Sequence, residues 1–419
     1  MHTTPIHKNN KGNSMTEPTS HSQNLAQHEL LREKSWLKSL SIVDWLFAVL
    51  MAAVAALAQM KLPHHMDVYE MVILWASVAV ATGLGWFFKP MRWFIVGGVL
   101  AAYLAVGLYQ GDIANSGDKG KFLLKYLLSS QSAIMWQAAL TVLAFALYLL
   151  ATLWAWRQEK QNRFQRNTLF SIASGLAWSA AFAGFVGMLV RWHESYLLRP
   201  DAGHIPVSNL YEVFILFLVI TALMYLYYEG RFAVQKLGGF VFSFMAIVVG
   251  FVLWYSVSRE AHTIQPLIPA LQSWWMKIHV PANFIGYGAF CMAAMLGVAQ
   301  LMVIRSTEKG KTSRLPDSAA IEEIMYKAIA VGFLFFTIAT ILGALWAKAA
   351  WGGYWSWDPK EVWALVVWLN YATWLHLRLV VGWRGKILAW WAIIGLFITA
   401  FAFVGVNMFL SGLHSYGEL

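Results

Sequence analysis

Seven of the chain's 23 tryptophans fall in one stretch: Trp346, Trp351, Trp355, Trp357, Trp363, Trp368 and Trp374. Its core reads Trp351-Gly352-Gly353-Tyr354-Trp355-Ser356-Trp357-Asp358-Pro359-Lys360-Glu361. Tryptophan gathers at membrane interfaces, where the ring sits among headgroups and the N–H stays hydrated, so one reading is an aromatic belt. The other is a ligand platform. Two adjacent glycines let the backbone turn tightly and approach a flat ligand closely. Asp358, Pro359 and Glu361 have the pattern of a helix start, with Asp358 as N-cap, Pro359 at the first helical position and Glu361 at the third. A rigid aromatic surface tied to a helix suits a large, planar, apolar ligand such as a porphyrin.

Such a ligand needs axial donors, and imidazole is the usual one for haem iron. His279 stands at the start of an apolar segment after the loop 265–276, and His414 stands seven residues beyond the last one. Either could instead be an interfacial histidine bonded to water or headgroup. His376 is placed differently. Fifteen residues separate it from Glu361, which at about 1.5 Å each sets it roughly 22 Å along the same helix. An ionisable side chain at that depth is a functional-site hypothesis by default, although Arg378 nearby also fits an inner interface. The single cysteine, Cys291, lies in an apolar run and leaves no disulfide, CxxC pair or thiolate cluster within the chain.

The elements that position these residues follow from composition. Of 419 residues, 59% are hydrophobic and 12% charged, against roughly 45–50% and 25% for a soluble domain. A globule of this composition would expose large apolar patches, whereas a bilayer hides them. The pattern predicts an all-α, polytopic transmembrane bundle of about eleven helices, near 42–60, 70–88, 93–109, 133–156, 169–190, 210–228, 238–257, 279–304, 325–347, 362–381 and 387–407. The net charge of +10 is read as a topology signal rather than as nucleic-acid binding. Twenty Lys and Arg lie in the N-terminal tail and the loops of one side, and ten on the other. That asymmetry puts the N-terminus inside and, for eleven crossings, the C-terminus outside. The side assigned as outer also holds His64, His65, His193, His204, His262 and the densest tryptophan stretch. Residues 1–40, with His2, His7, His21 and His28, read as a disordered cytoplasmic tail. Residues 41–170 read as membrane helices without a recognised motif, and 171–419 as the functional membrane domain carrying the loop 346–363.

The stretch Trp351–Glu361 resembles the tryptophan-rich WWD signature of haem-handling proteins of cytochrome c maturation, and more narrowly the CcsA/ResC type of the two-component (system II) pathway, often named CcsB. Arg191-Trp192, the segment Gly203–Glu212, His279-Val280, Trp374–Arg378, Gly405-Val406-Asn407 and Gly412–Gly417 are similar to that family in the same order, over about residues 185–419. The resemblance implies haem b as cargo, with His279 and His414 as outer ligands of its iron beside a platform that includes Trp351, Trp355, Trp357 and Asp358. It implies His376 as a membrane-embedded haem ligand whose second histidine comes from a ResB-type partner subunit. It further implies a multi-pass protein of the bacterial cytoplasmic membrane with a periplasmic active face. Haem would be moved across and presented to the CxxCH segment of apocytochrome c, alongside thiol-reducing proteins. The nucleophile is then the client's, and this chain supplies no catalytic residue. His204 is read as a structural loop histidine near the platform, and His193 is left without a role. The competing readings are a haem exporter or permease without synthase activity, and a WWD protein of the system I route.

The orientation is directly testable. A reporter active only outside the membrane should work when fused after Leu419 and fail when fused at Lys309; the reverse pattern overturns the assignment.

Overall fold

The computed structural model describes residues 40–61, 66–117, 120–157, 163–199 and 203–414. The tail histidines, His64, His65 and Ser415–Gly417 lie outside the described residues. The described residues are all-helical with no strand, and eleven helices are long and apolar enough to cross a membrane. The protein is therefore a multi-pass membrane protein. The helices are α1 (Ile42–Lys61), α2 (Val68–Phe87), α3 (Pro90–Tyr109), α4 (Ser130–Arg157), α5 (Arg163–Leu198), α6 (Leu210–Phe232), α7 (Gly238–Ser258), α8 (Met276–Glu308), α9 (Ser318–Trp351), α10 (Pro359–His376) and α11 (Lys386–Ala400). A short α12 (Val406–Phe409) is the last helix among the described residues.

The chain forms two compact units. One contains α1 and the part of α2 from Leu74 onward. Within it the Trp86 indole donates to the Asp44 carbonyl at 2.9 Å, and Gly85 lets the Phe47 ring lie against the backbone. The other unit contains Asp67–Ile73 and everything from Pro90 on, and carries the site.

In the larger unit the helices alternate in direction, so the starts of α6, α8 and α10 share one end with the finishes of α5, α7, α9 and α12. Helix α8 is its centre and packs on α9, α11 and α6. Small residues permit the approach. A Cβ at Gly297 would meet the Ala389 carbonyl at 2.8 Å, and one at Gly332 would meet the Phe290 ring at 2.8 Å. Close backbone contact through small residues is how helices associate where lipid offers no hydrophobic contrast.

Several buried carboxylates and guanidinium groups of the bundle are paired, as a low-dielectric medium requires. Glu194 accepts from the Tyr109 and Ser130 hydroxyls, Glu229 from Tyr148 and Ser174, and Arg378 reaches Glu322 and Glu323. Arg191 meets Glu212 at 2.7 Å with both side chains at or below 5% exposure. Glu212 also accepts the Ser208 N–H and hydroxyl at 2.8 Å, while Arg191 donates to the His262 carbonyl at 2.8 Å. One buried ion pair thus ties α5, the start of α6 and the loop after α7 together at the site end.

Removing one member of such a pair strands a buried charge, at a cost of roughly 3–5 kcal/mol. Arg191→Leu should therefore lower the unfolding midpoint in detergent sharply, and Arg191→Leu combined with Glu212→Gln should recover part of the loss. Additive losses would show that the two side chains act independently.

Candidate functional site

Helix α9 ends at Trp351 because Gly352 takes φ +83°, a left-handed conformation open to glycine, and its N–H closes the helix on the Lys348 carbonyl at 3.1 Å. Six residues later the chain re-enters a helix through a capping box. The Asp358 side chain accepts from the Lys360 N–H at 3.1 Å, and Glu361 reaches back to the Asp358 N–H at 3.2 Å. Glu361 also accepts the Ser356 N–H at 2.7 Å. The tryptophan-rich loop is therefore clamped at both ends, as its sequence leads one to expect.

Above the loop lies a cavity of about 550 Å³, within the size range of small-molecule and cofactor sites. His279 and His414 both line it, together with Trp346, Trp351, Tyr354 and Trp355. Phe284 and Tyr287 of α8 and Phe403, just past α11, also line it, and Phe403 packs edge-on to Phe284 at 5.1 Å and to Phe214 of α6 at 5.2 Å.

Both imidazoles are anchored at Nδ1, and His279 is held at Nε2 as well. His279 donates from Nδ1 to the Ala339 carbonyl at 2.8 Å, and its Nε2 accepts from the Asn283 amide at 2.9 Å. An acceptor-only carbonyl at Nδ1 fixes the tautomer, leaving the lone pair on Nε2. Gly343 makes room for this ring, because a Cβ there would stand 2.8 Å from His279 Cε1. His414 donates from Nδ1 to Asp358 Oδ2 at 2.8 Å, and the Trp351 ring meets it edge-on at 4.7 Å. Gly412 is needed nearby, since a Cβ there would stand 2.2 Å from Asp358 Oδ1.

Burial holds the His414 imidazole below its ordinary range even though Asp358 pulls it upward, so the pair is a hydrogen bond to a neutral ring rather than an ion pair. Burial tends to raise the Asp358 carboxyl. The bonds from His414 and from the Lys360 and Leu413 N–H groups outweigh it and hold the group below the usual carboxylate range. Two imidazoles with Nδ1 anchored, facing one aromatic cavity, can ligate a metal carried in a planar ring through Nε2, which in His279 must first release the Asn283 amide. Second partners of this kind raise the basicity of a ligating histidine and set its orientation. Among the described residues no cluster of three or more His, Cys, Asp or Glu offers a site for a bare metal ion.

The cavity does not gather every residue singled out in the sequence. Asp358 stands behind it and acts on His414. Trp357 is 70% exposed, lies outside the lining and takes φ +60°. Left-handed geometry is uncommon for a bulky residue, and it points to a loop whose shape is imposed by its anchored ends. Trp357 touches the site through Trp355, edge-on at 5.9 Å. His376 lies at the far end of α10, roughly 25 Å from its start, exposed on the surface of the bundle. It is followed at once by a π-helical turn, Leu377–Val381, in which Arg378 turns inward. His193 sits beside Tyr109, and His204 is buried with its backbone N–H and carbonyl bonded to the Ser195 hydroxyl. Asn283 and Gly343 emerge only in three dimensions. A lone amide one turn after His279 and a glycine 64 residues away carry no local signal.

The family described as Cytochrome C assembly protein matches residues 207–414, which include the loop, α8 and both cavity histidines. The chain is 37% identical over 233 residues to a cytochrome c biogenesis protein CcsA of Chlamydomonas reinhardtii, covering 55% of this chain and 64% of that protein. It is 32% identical to CcsA of Synechococcus sp. (strain CC9605), covering 65% and 94%, and 32% identical to CcsA of Chlorella vulgaris, covering 66% and 94%. Fold and site define a multi-pass membrane protein with a histidine-flanked aromatic cradle. The chain belongs to the CcsA family of cytochrome c biogenesis proteins.

The two functions of Asp358 are separable. Asp358→Ala should cost about 1–2 kcal/mol through the lost cap, while Asp358→Asn, also a good cap, should recover most of it in denaturant titrations. Equal losses would show that capping is not what Asp358 contributes to stability.

Proposed function

We propose that this chain is the membrane subunit of a system II cytochrome c synthase. It would hold haem b as cargo between His279 and His414 and present it to the CxxCH segment of apocytochrome c. The observation that carries the reading is the convergence of two Nδ1-anchored imidazoles on one tryptophan-lined cavity. With both axial positions of the iron taken by imidazole, the ring edge remains available to the client. Each client thiol then adds across a vinyl group: sulfur bonds to one vinyl carbon and the proton goes to the other. The addition needs no oxidant, and no residue of this chain acts as nucleophile.

His376 fits an inner, membrane-embedded ligand. Its exposure on the bundle surface within a membrane-spanning helix suits a site completed by a second protein, which we assign to a ResB-type subunit. The bias of basic residues supports the cavity end as the periplasmic face of a bacterial cytoplasmic membrane. Haem would then pass from the His376 side to the cavity.

His279→Ala or His414→Ala should abolish cytochrome c maturation, and added imidazole, which can fill the vacant coordination position, should partly restore it. His376→Ala should empty both haem sites of the purified complex, whereas His279→Ala should leave the inner one filled. Normal maturation in both alanine variants sinks the outer site, and a filled cavity in the His376→Ala complex removes His376 from the route.

A further inference from the structure

Lys360 lies at the second position of α10, and its ammonium lines the cavity. Of its three donors, the one with a protein acceptor bonds Asn407 Oδ1 at 2.6 Å. The Phe403 ring lies beneath the ammonium at 5.4 Å. The neighbouring carboxylates are committed elsewhere. Asp358 holds His414 and the Leu413 and Lys360 N–H groups, and Glu361, which also lines the cavity, accepts from Ser356 and the Asp358 N–H. Neither forms an ion pair with Lys360, and no other described carboxylate does. Arg259, just past the end of α7, is a second cation on the cavity wall, exposed and likewise without a described ion-pair partner. Elsewhere in this bundle Arg191 and Arg378 are each matched to glutamates. A buried cation without an ion-pair contact is costly, so Lys360 calls for an anionic ligand, and the exposed Arg259 adds positive charge to the same cavity wall.

We infer that Lys360 and Arg259 form a carboxylate clamp, so that the cavity selects a planar ligand bearing two carboxylates on one edge. The inference rests on the haem reading above and adds a specificity element to it. Haem carries two propionates on one edge and its vinyl groups elsewhere on the ring. A clamp on the propionates sets the rotation of the macrocycle about the His279–iron–His414 axis, which the axial ligands alone leave undetermined. Lys360 is thus a specificity-determining residue, distinct from the iron ligands.

The test compares iron(III) protoporphyrin IX with its dimethyl ester, titrated into the full-length protein in nanodiscs and read by tryptophan quenching and the Soret spectrum. The ester keeps the ring, the iron and the vinyl groups but loses both charges. It should bind roughly tenfold or more weakly, the scale of a lost charge-assisted hydrogen bond. Lys360→Gln should remove most of the advantage of the diacid over the ester and leave the ester unchanged. Arg259→Gln should give a smaller loss in the same direction. His414→Ala should lose the low-spin spectrum with both porphyrins while keeping the acid-to-ester ratio. Equal affinity of the native protein for diacid and ester overturns the clamp, and that comparison does not depend on any variant folding. Low-spin binding of both porphyrins with equal affinity defeats the clamp alone. Failure of either porphyrin to give a low-spin spectrum defeats the haem reading together with it.

Discussion

The site depends on one carboxylate. Asp358 caps α10 through the Lys360 N–H, accepts the Leu413 N–H at 2.5 Å and accepts His414 Nδ1 at 2.8 Å. A single buried group therefore fixes the start of one helix, the path of the chain after the last one, and the rotation of an imidazole that faces the cavity. Its side chain is 4% exposed, so these three bonds have little competition from water. They are correspondingly strong. The capping box is the local half of the arrangement, and the His414 bond, which spans 56 residues, is the tertiary half.

His279 is held by a different device. Its anchor is the Ala339 carbonyl in the middle of α9, a helical acceptor already engaged in its own helix. This works because Gly343, one turn on, leaves a notch for the ring. One cavity histidine is thus set by a loop and a carboxylate, the other by the packing of two helices. The first is sensitive to the tryptophan-rich loop and the second to the approach of α8 and α9.

Much of this could be read from sequence because it is local. Eleven apolar runs specify the helices, and Asp358-Pro359-x-Glu361 specifies the α10 cap within four residues. The positions of His279 and His414 could be named because each adjoins the end of an apolar segment, which places it at a bundle end. What could not be read is what depends on the packing of helices against one another. Asn283, Gly343 and Arg259 acquire meaning only when α7, α8 and α9 share an end. The separation of Trp357 from the lining reflects a left-handed backbone at a residue type that seldom adopts it. The inward turn of Arg378, two residues after the exposed His376, falls in a π turn, whose wider winding has no compositional mark.

A second π turn, Phe401–Gly405, interrupts the last membrane helix just before Asn407. A π turn accommodates one residue more than an α turn over the same path. Chain length is therefore part of the site's specification. Losing one residue from 401–405 would restore regular α-helix and rotate everything beyond it by about 100°. Asn407 would swing away from Lys360, and His414 would arrive at Asp358 out of register, while hydrophobicity and every named side chain stayed the same. In this segment the count of residues carries information that no substitution scan would detect, and a one-residue deletion should be more damaging than most exchanges of side chain.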